Sequence, residues 1–131
     1  MAQKKILIID DQSDYRFTMG VYLERNGFIV FEAEDGKVGW EKIKEVDPDL
    51  VLLDIMMEST FSGFEVCRQV RSNKDFKKLP IIGISGMGDE LGVKYDESSD
   101  QEYFSPDIFI EKPVDKDLLL EKIKGLLNVS A

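Results

Sequence analysis

The chain has 131 residues, 26 of them acidic and 17 basic, and its net charge of −9 argues against direct binding to the phosphate backbone of nucleic acids. This length suits one domain over residues 1–131. With no histidine and one cysteine, the sequence excludes an internal disulfide, a histidine-based triad and zinc sites built from imidazoles or several thiolates. Its apolar runs are too short for a membrane span or a signal peptide, so we expect a cytoplasmic protein without membrane contact.

Five short apolar runs bounded by polar residues predict buried parallel strands. They lie at residues 5–9, 28–31, 50–53, 81–84 and 108–110. The stretches between them are long enough for helical crossovers. The pattern predicts an α/β fold with a doubly wound five-stranded parallel sheet, covered by helices on both faces.

Helices are predicted after four of these strands. The first helix begins at Ser13 or Asp14 and ends at Asn26-Gly27, a pair that suits a left-handed C-terminal cap. The others are predicted at residues 36–46, 64–72 and 115–127, the last with Asp115 as its N-cap. Cys67 falls in the third helix, where a half-buried structural side chain is favoured over a reactive thiol.

Two helices carry more apolar side chains than one core-facing stripe requires. In the first helix the core stripe is Tyr15, Met19, Tyr22 and Leu23. Phe17 and Val21 fall on another side, either as an exposed apolar strip or buried against a neighbouring loop. The last helix carries Leu118, Leu119, Leu120, Ile123, Leu126 and Leu127, part of which we expect to meet a partner.

The stretch at residues 86–105 is atypical for a helical crossover. It contains three glycines and six acidic residues against one lysine. Glycine and clustered Asp and Ser disfavour a helix. We expect a short helix at most, near residues 91–95, followed by a mobile acidic loop.

Polar side chains stand where the apolar runs end, namely Asp10, Asp11, Asp54, Ser85 and Lys112. Because the carboxyl ends of parallel strands meet at one sheet edge, we expect these groups to share a pocket. Carboxylates about 4 Å apart repel by roughly 4 kcal/mol per pair at an effective dielectric near 20, so a cation must offset them. Oxygen ligands without histidine or thiolate suit Mg²⁺. Either acidic strand end alone would favour a helix cap or a loop residue; together they favour a metal and phosphoryl site.

This constellation resembles the receiver domain of two-component response regulators, the family of the chemotaxis response regulator, over essentially the full chain. Residues 5–11 resemble its first strand with the acidic pair, and residues 49–57 resemble its third strand with the phospho-accepting aspartate. Ser85, Lys112-Pro113 and Phe109 stand at the family's hydroxyl, lysine and aromatic switch positions. The resemblance implies a flavodoxin-like sheet of order 2-1-3-4-5.

The resemblance also implies a chemistry for the pocket. Asp54 would attack a phosphohistidine and become an aspartyl phosphate. Mg²⁺ would be held by Asp11, Asp54 and the backbone carbonyl of Met56, with Asp10 acting through bound water. Lys112 would pair with the phosphoryl oxygens.

A switch is implied as well. The Ser85 hydroxyl would donate to the new phosphate, Phe109 would turn toward the space vacated, and a partner-binding surface would change. The phosphoryl donor would be a sensor histidine kinase or a histidine phosphotransfer protein, and the recipient a downstream protein. A phosphorylation-dependent dimer is one further outcome that the resemblance allows. The chain would be a signalling module that catalyses only its own phosphorylation and dephosphorylation, either alone or as part of a longer regulator.

Three departures from the family pattern stand out. Glu58 replaces the usual proline, and Gly63 arrives one residue late, so the loop at residues 58–62 is expected to add charge beside the pocket or alter phosphoaspartate hydrolysis. Gly86 stands where alanine is common, which loosens the loop behind Ser85. The interval from Ser85 to Lys112 is several residues longer than usual, which predicts an irregular fourth helix.

Other functions compete with this interpretation. A phosphate-independent adaptor could use the same fold as a binding surface, although the complete polar set argues against it. A Mg²⁺-dependent phosphatase would need a second acid two residues after Asp54, where Met56 stands. A flavodoxin-like cofactor site would place phosphate against acidic residues.

Overall fold

The computed structural model describes residues 3–55, 62–85 and 106–128. The strands are β1 (Lys5–Ile9), β2 (Ile29–Ala33), β3 (Leu50–Asp54), β4 (Ile81–Ser85) and β5 (Ile108–Glu111). The helices are α1 (Ser13–Arg25), α2 (Gly36–Val46), α3 (Ser62–Ser72) and α4 (Lys116–Leu127). The strands pair in parallel in the order β2-β1-β3-β4-β5. This confirms the predicted fold class and strand order.

Helices cover both faces of the sheet. α2 and α3 lie on one face, in one apolar cluster with Leu7 and Ile9 of β1. α1 and α4 lie on the other, in a second cluster with Ile6 and Ile8. These four apolar side chains of β1 are buried and alternate between the two clusters, because successive side chains of a strand point to opposite faces of the sheet. A strand buried on both faces carries a continuous apolar run, and this made β1 recognisable in the sequence.

The end of α1 explains why β2 begins one residue later than predicted. Gly27 has a positive φ of 93°, and its N–H donates to the Glu24 carbonyl. The Phe28 N–H donates to the carbonyl of Leu23, which completes a Schellman motif. The Phe28 N–H is therefore used in the C-terminal cap of α1, and the ladder with β1 starts at Ile29.

β2 also runs further than predicted, to Ala33. Glu32 pairs with Ile8 and Ala33 with Ile9, although a charged residue had favoured an earlier end. β2 is an edge strand of this sheet, and Glu32 is exposed there. A charge on such a strand keeps contact with water and does not break the ladder.

The predicted surplus of apolar side chains is partly exposed. Phe17 is 69% exposed and Val21 is half-buried, so the exposed strip of α1 centres on Phe17. On α4 only Leu118 is largely exposed, at 42%, among the apolar residues of that helix.

Cys67 is fully buried, not half-buried as expected, and burial raises the pKa of its thiol to about 12. A protonated, enclosed thiol fits the structural role predicted for it.

Several expectations fall outside the part of the chain that the structure describes. They concern Met56, Glu58 with the following loop, and the acidic stretch at residues 86–105. α3 begins at Ser62, two residues earlier than predicted. Within the described ranges, no helix is both long and apolar enough to cross a membrane.

Candidate functional site

The acidic residues that follow β1 meet the acid that ends β3. β1 and β3 are adjacent, and the last residue of β1, Ile9, pairs with Leu53. Asp10 and Asp54 therefore follow equivalent positions of neighbouring strands. One carboxylate oxygen each of Asp10, Asp11 and Asp54 lies within 4.8 Å of the others. The predicted gathering of carboxylates at one sheet edge is present.

Lys112 reaches this cluster from the far side of β4. Its ammonium nitrogen lies 3.6 Å from Oδ2 of Asp54 and 3.8 Å from Oδ2 of Asp10. The peptide bond from Lys112 to Pro113 is cis. The described pocket thus combines three carboxylates with one ammonium and carries a net negative charge.

Asp10 is the most enclosed of the three acids, with 1% of its surface exposed. Burial raises the pKa of its carboxyl to about 6 from an ordinary 3.8, and the charges of Asp54 and Asp11 push the same way. The Gln12 N–H donates to Oδ1 at 2.9 Å and, with Lys112, opposes this shift. A cation bound beside Asp10 would favour the charged form further.

The other two acids differ in exposure. Asp54 is 5% exposed at the end of β3, and Asp11 lies on the surface. Oxygens bound to one Mg²⁺ at 2.0–2.1 Å lie roughly 3 to 4 Å apart. A cluster within 4.8 Å therefore needs only small side-chain rotations, or one intervening water, to hold a small divalent cation.

The predicted switch residues lie on neighbouring strands. Ser85 ends β4 and pairs with Glu111; its side chain is outside the described part of the structure. Phe109 pairs with Gly83 and is 37% exposed. A Cβ on Gly83 would lie 3.2 Å from Cδ1 of Phe109, so the ring rests against a position that has no side chain.

Two residues of the site were missed in the sequence, and both lie in the first turns of α1. Arg16 donates from Nη1 to the backbone carbonyl of Asp10 at 2.7 Å and from Nε to Glu32 at 3.0 Å. It ties α1 to the ends of β1 and β2. An arginine six residues after an aspartate carries no recognisable signal in one sequence.

Tyr15 is the second missed residue. It packs against the predicted core cluster, and the ammonium of Lys112 also lies over its ring, 4.8 Å from the centroid. Its hydroxyl is buried and has no hydrogen-bond partner among the described residues. Burial raises its pKa to about 12, with the charges of Asp10 and Asp54 contributing. Tyr15 therefore borders the acidic pocket as well as the core.

Comparison with known proteins gives close relatives over nearly the whole chain. The chain is 36% identical over 127 residues to the transcriptional regulatory protein ResD of Bacillus subtilis, and the match covers 96% of this chain and 49% of that protein. It is 36% identical over 124 residues to the response regulator ArlR of Staphylococcus saprophyticus, covering 95% of this chain and 52% of that protein. The chain thus spans about half the length of these relatives.

A solved structure and a family model agree with these relatives. The response regulator TrrA of Thermotoga maritima, solved in complex with Mg²⁺-BeF, superposes with a TM-score of 0.78 at 31% identity. The superposition covers 95% of this chain and 100% of TrrA. The family model described as the response regulator receiver domain matches residues 6–124. With its sheet order, acidic strand ends and Lys112, this chain belongs to the response regulator receiver domain family.

Proposed function

We propose that this chain receives a phosphoryl group on Asp54 from the phosphohistidine of a sensor histidine kinase or a histidine phosphotransfer protein. The observation that carries the proposal is the Lys112 ammonium 3.6 Å from Oδ2 of Asp54, beside two further carboxylates. A buried acid with a cation at its side and an acidic cluster around it suits an acceptor of a charged group. The product is an acyl phosphate that alters a binding surface for a downstream protein.

The transfer step is a substitution at phosphorus. A carboxylate oxygen of Asp54 forms the new P–O bond while the P–N bond to the donor imidazole breaks, and the imidazole leaves with the electron pair of that bond. Lys112 balances charge on the phosphoryl oxygens as they approach its ammonium. Because Asp54 is 5% exposed, only a small part of its surface is accessible to the donor and to hydrolytic water.

The donor set fits a magnesium ion. Asp10, Asp11 and Asp54 offer three oxygens within 4.8 Å, and hard oxygen ligands without histidine suit this metal. The proposed direct ligands are Asp11, Asp54 and the Met56 backbone carbonyl, with Asp10 acting through bound water. When bound, Mg²⁺ supplies positive charge that lets phosphoryl oxygens approach these carboxylates. The related TrrA was solved with Mg²⁺-BeF, which supports the same proposal here.

Signalling follows from the groups around Asp54. In the proposed switch, the hydroxyl of Ser85 donates to the phosphoryl group and Phe109 changes its exposure. Phe109 is 37% exposed and its ring rests against the Gly83 position, so a movement of the ring would change the surface on this side of the sheet. In this role the chain is a cytoplasmic signalling module whose chemistry is limited to its own phosphorylation and dephosphorylation.

Intact-mass measurement after incubation with acetyl phosphate and Mg²⁺ tests the proposal. The expected result is a gain of one phosphoryl group, which Asp54→Asn abolishes and which omission of Mg²⁺ prevents. Asp14→Asn is the matched control, because Asp14 is an exposed acid in the first turn of α1 outside the cluster. An unmodified wild-type protein would favour the phosphate-independent adaptor. An adduct that survives in Asp54→Asn would place the phosphoryl group elsewhere.

A further inference from the structure

The Lys112 ammonium is held between an aromatic face and two carboxylates. The Tyr15 ring centroid lies 4.8 Å from Nζ, and Asp54 and Asp10 lie at 3.6 and 3.8 Å. The three contacts come from α1, the end of β3 and the residue after β1. Lys112 thus meets side chains from separate parts of the chain.

A lysine at this position needs such a support. Its side chain is a flexible four-carbon stem, and 24% of it is exposed, so the ammonium has a route into solvent. Attraction to an aromatic face raises the population of an ammonium over the ring by a factor of about 2 to 30, depending on how far water is excluded. The ring is partly buried against the apolar cluster that α1 shares with the sheet and α4, which restricts its movement.

The hydroxyl of Tyr15 makes no comparable contribution. It is buried and forms no hydrogen bond with the described residues. The contact between Tyr15 and Lys112 is made by the ring face. This difference separates a role of the ring from a role of the hydroxyl, because phenylalanine keeps the first and removes the second.

We infer that Tyr15 is a positioning residue for phosphoryl transfer, whose ring keeps the Lys112 ammonium beside the Asp54 carboxylate. The inference rests on the proposed function and deepens it. Tyr15 touches neither the phosphoryl group nor the metal in this role. It acts through Lys112 by restricting where the ammonium can lie.

Initial rates of phosphorylation by acetyl phosphate at saturating Mg²⁺ test this role. Tyr15→Leu, which keeps an apolar side chain but no aromatic face, lowers the rate by about threefold to tenfold. Tyr15→Phe restores most of the rate. A Phe variant as slow as the Leu variant would assign the effect to the hydroxyl and overturn the inference, as would a Leu variant as fast as wild type.

Tyr22→Leu is the matched control. Tyr22 lies on the same helix, packs against the same cluster, and carries Lys116 over its ring at 5.7 Å. Its lysine is not beside the acidic pocket, so the rate stays at the wild-type value. A comparable loss in Tyr22→Leu would show that any weakening of α1 slows the reaction, and the specific role of Tyr15 would fall.

A double-mutant cycle with Lys112→Ala separates positioning from packing. Tyr15→Leu has no further effect on the rate when Lys112 is already absent. The same fold loss in both backgrounds would contradict a role that acts through Lys112.

A measurement without phosphorylation keeps this inference separate from the proposed function. The NMR resonances of the Lys112 methylene protons next to the ammonium are shifted upfield by the ring, return to ordinary values in Tyr15→Leu and stay shifted in Tyr15→Phe. No upfield shift in a protein that phosphorylates normally would sink the positioning role alone. A shift in a wild-type protein that takes no phosphoryl group would instead sink the proposed function.

Discussion

Lys112 and Asp54 form an ion pair that spans β4, a strand to which neither residue belongs. Nζ of Lys112 lies 3.6 Å from Oδ2 of Asp54, although β4 separates the strands from which the two residues come. The length of the lysine stem spans that gap. The ammonium thus meets the carboxylate at the carboxyl-terminal ends of the strands, where a phosphoryl group would enter.

Replacing Lys112 should slow phosphorylation but strengthen Mg²⁺ binding. Lys112→Ala lowers the rate of phosphorylation about 100-fold, since a charge that stabilises the transferring group is lost. The same change tightens Mg²⁺ binding about threefold to tenfold, because a competing positive charge leaves the acidic cluster. Rates from acetyl phosphate and affinities from titration calorimetry measure the two effects.

Lys116→Ala is the control for Lys112. Lys116 lies over the ring of Tyr22, outside the cluster, so neither rate nor affinity should change. Weaker Mg²⁺ binding in Lys112→Ala would show that the Lys112 ammonium does not compete with the metal for the three carboxylates.

Asp10 should limit the stability of the metal-free protein. Its pKa is raised from 3.8 to about 6, so its ionisation costs the folded state about 2 to 3 kcal/mol above pH 6. The cost fades as pH falls through 6 and is absent below 3.8. Asp10→Asn therefore raises the free energy of unfolding at pH 7.5 by that amount.

Urea unfolding in the presence of a chelator, at several pH values, measures the effect of Asp10. The stabilisation by Asp10→Asn should shrink steadily between pH 6 and pH 4. A gain that is the same at pH 4 and pH 7.5 would exclude ionisation of Asp10 as its cause.

Arg16 should contribute more to stability than its ion pair alone provides. Its guanidinium bonds both the Asp10 carbonyl and Glu32. Arg16→Ala is expected to lower the free energy of unfolding by about 1 to 3 kcal/mol, since a carbonyl beside the pocket loses its donor. Glu32→Gln removes only the partly exposed ion pair and should cost at most about 1 kcal/mol. Equal losses in the two variants would mean that the bond to Asp10 adds nothing.

Gly39 and Gly125 offer a matched pair for packing. A Cβ on Gly39 would lie 2.4 Å from Cδ1 of Ile9, whereas a Cβ on Gly125 meets nothing within 4 Å. Both residues lie within helices. Gly39→Ala should destabilise by about 1 to 2 kcal/mol after its gain in helix propensity, and Gly125→Ala should stabilise by about 0.5 to 1 kcal/mol. Thermal unfolding distinguishes them, and stabilisation by both would show that Ile9 moves freely.

The fold was predictable where local chemistry and tertiary structure agree. β1 and β3 are buried on both faces and carry continuous apolar runs. Gly27 and Asp115 mark helix ends through their own backbone or side chain: Gly27 has a positive φ, and Asp115 accepts from the N–H groups of Asp117 and Leu118. Such signals need no knowledge of the neighbours in space.

Tyr15 and Arg16 show what such signals leave out. Periodicity identified Tyr15 as a core residue, but it could not show that this end of α1 borders the lysine that follows β5. Arg16 binds a backbone carbonyl, and a backbone partner leaves no pattern in the side-chain sequence. The acids of the pocket were predictable because each follows an apolar strand; the residues that support them were not.

Trapping the phosphorylated residue tests phosphoryl transfer to Asp54 most directly. Borohydride reduction of the protein after treatment with acetyl phosphate and Mg²⁺ converts an aspartyl phosphate to homoserine, which peptide mass spectrometry can locate. Homoserine is expected at position 54, where the aspartate pairs with Lys112. Homoserine at another aspartate, or none in a folded protein that binds Mg²⁺, would contradict phosphoryl transfer to Asp54.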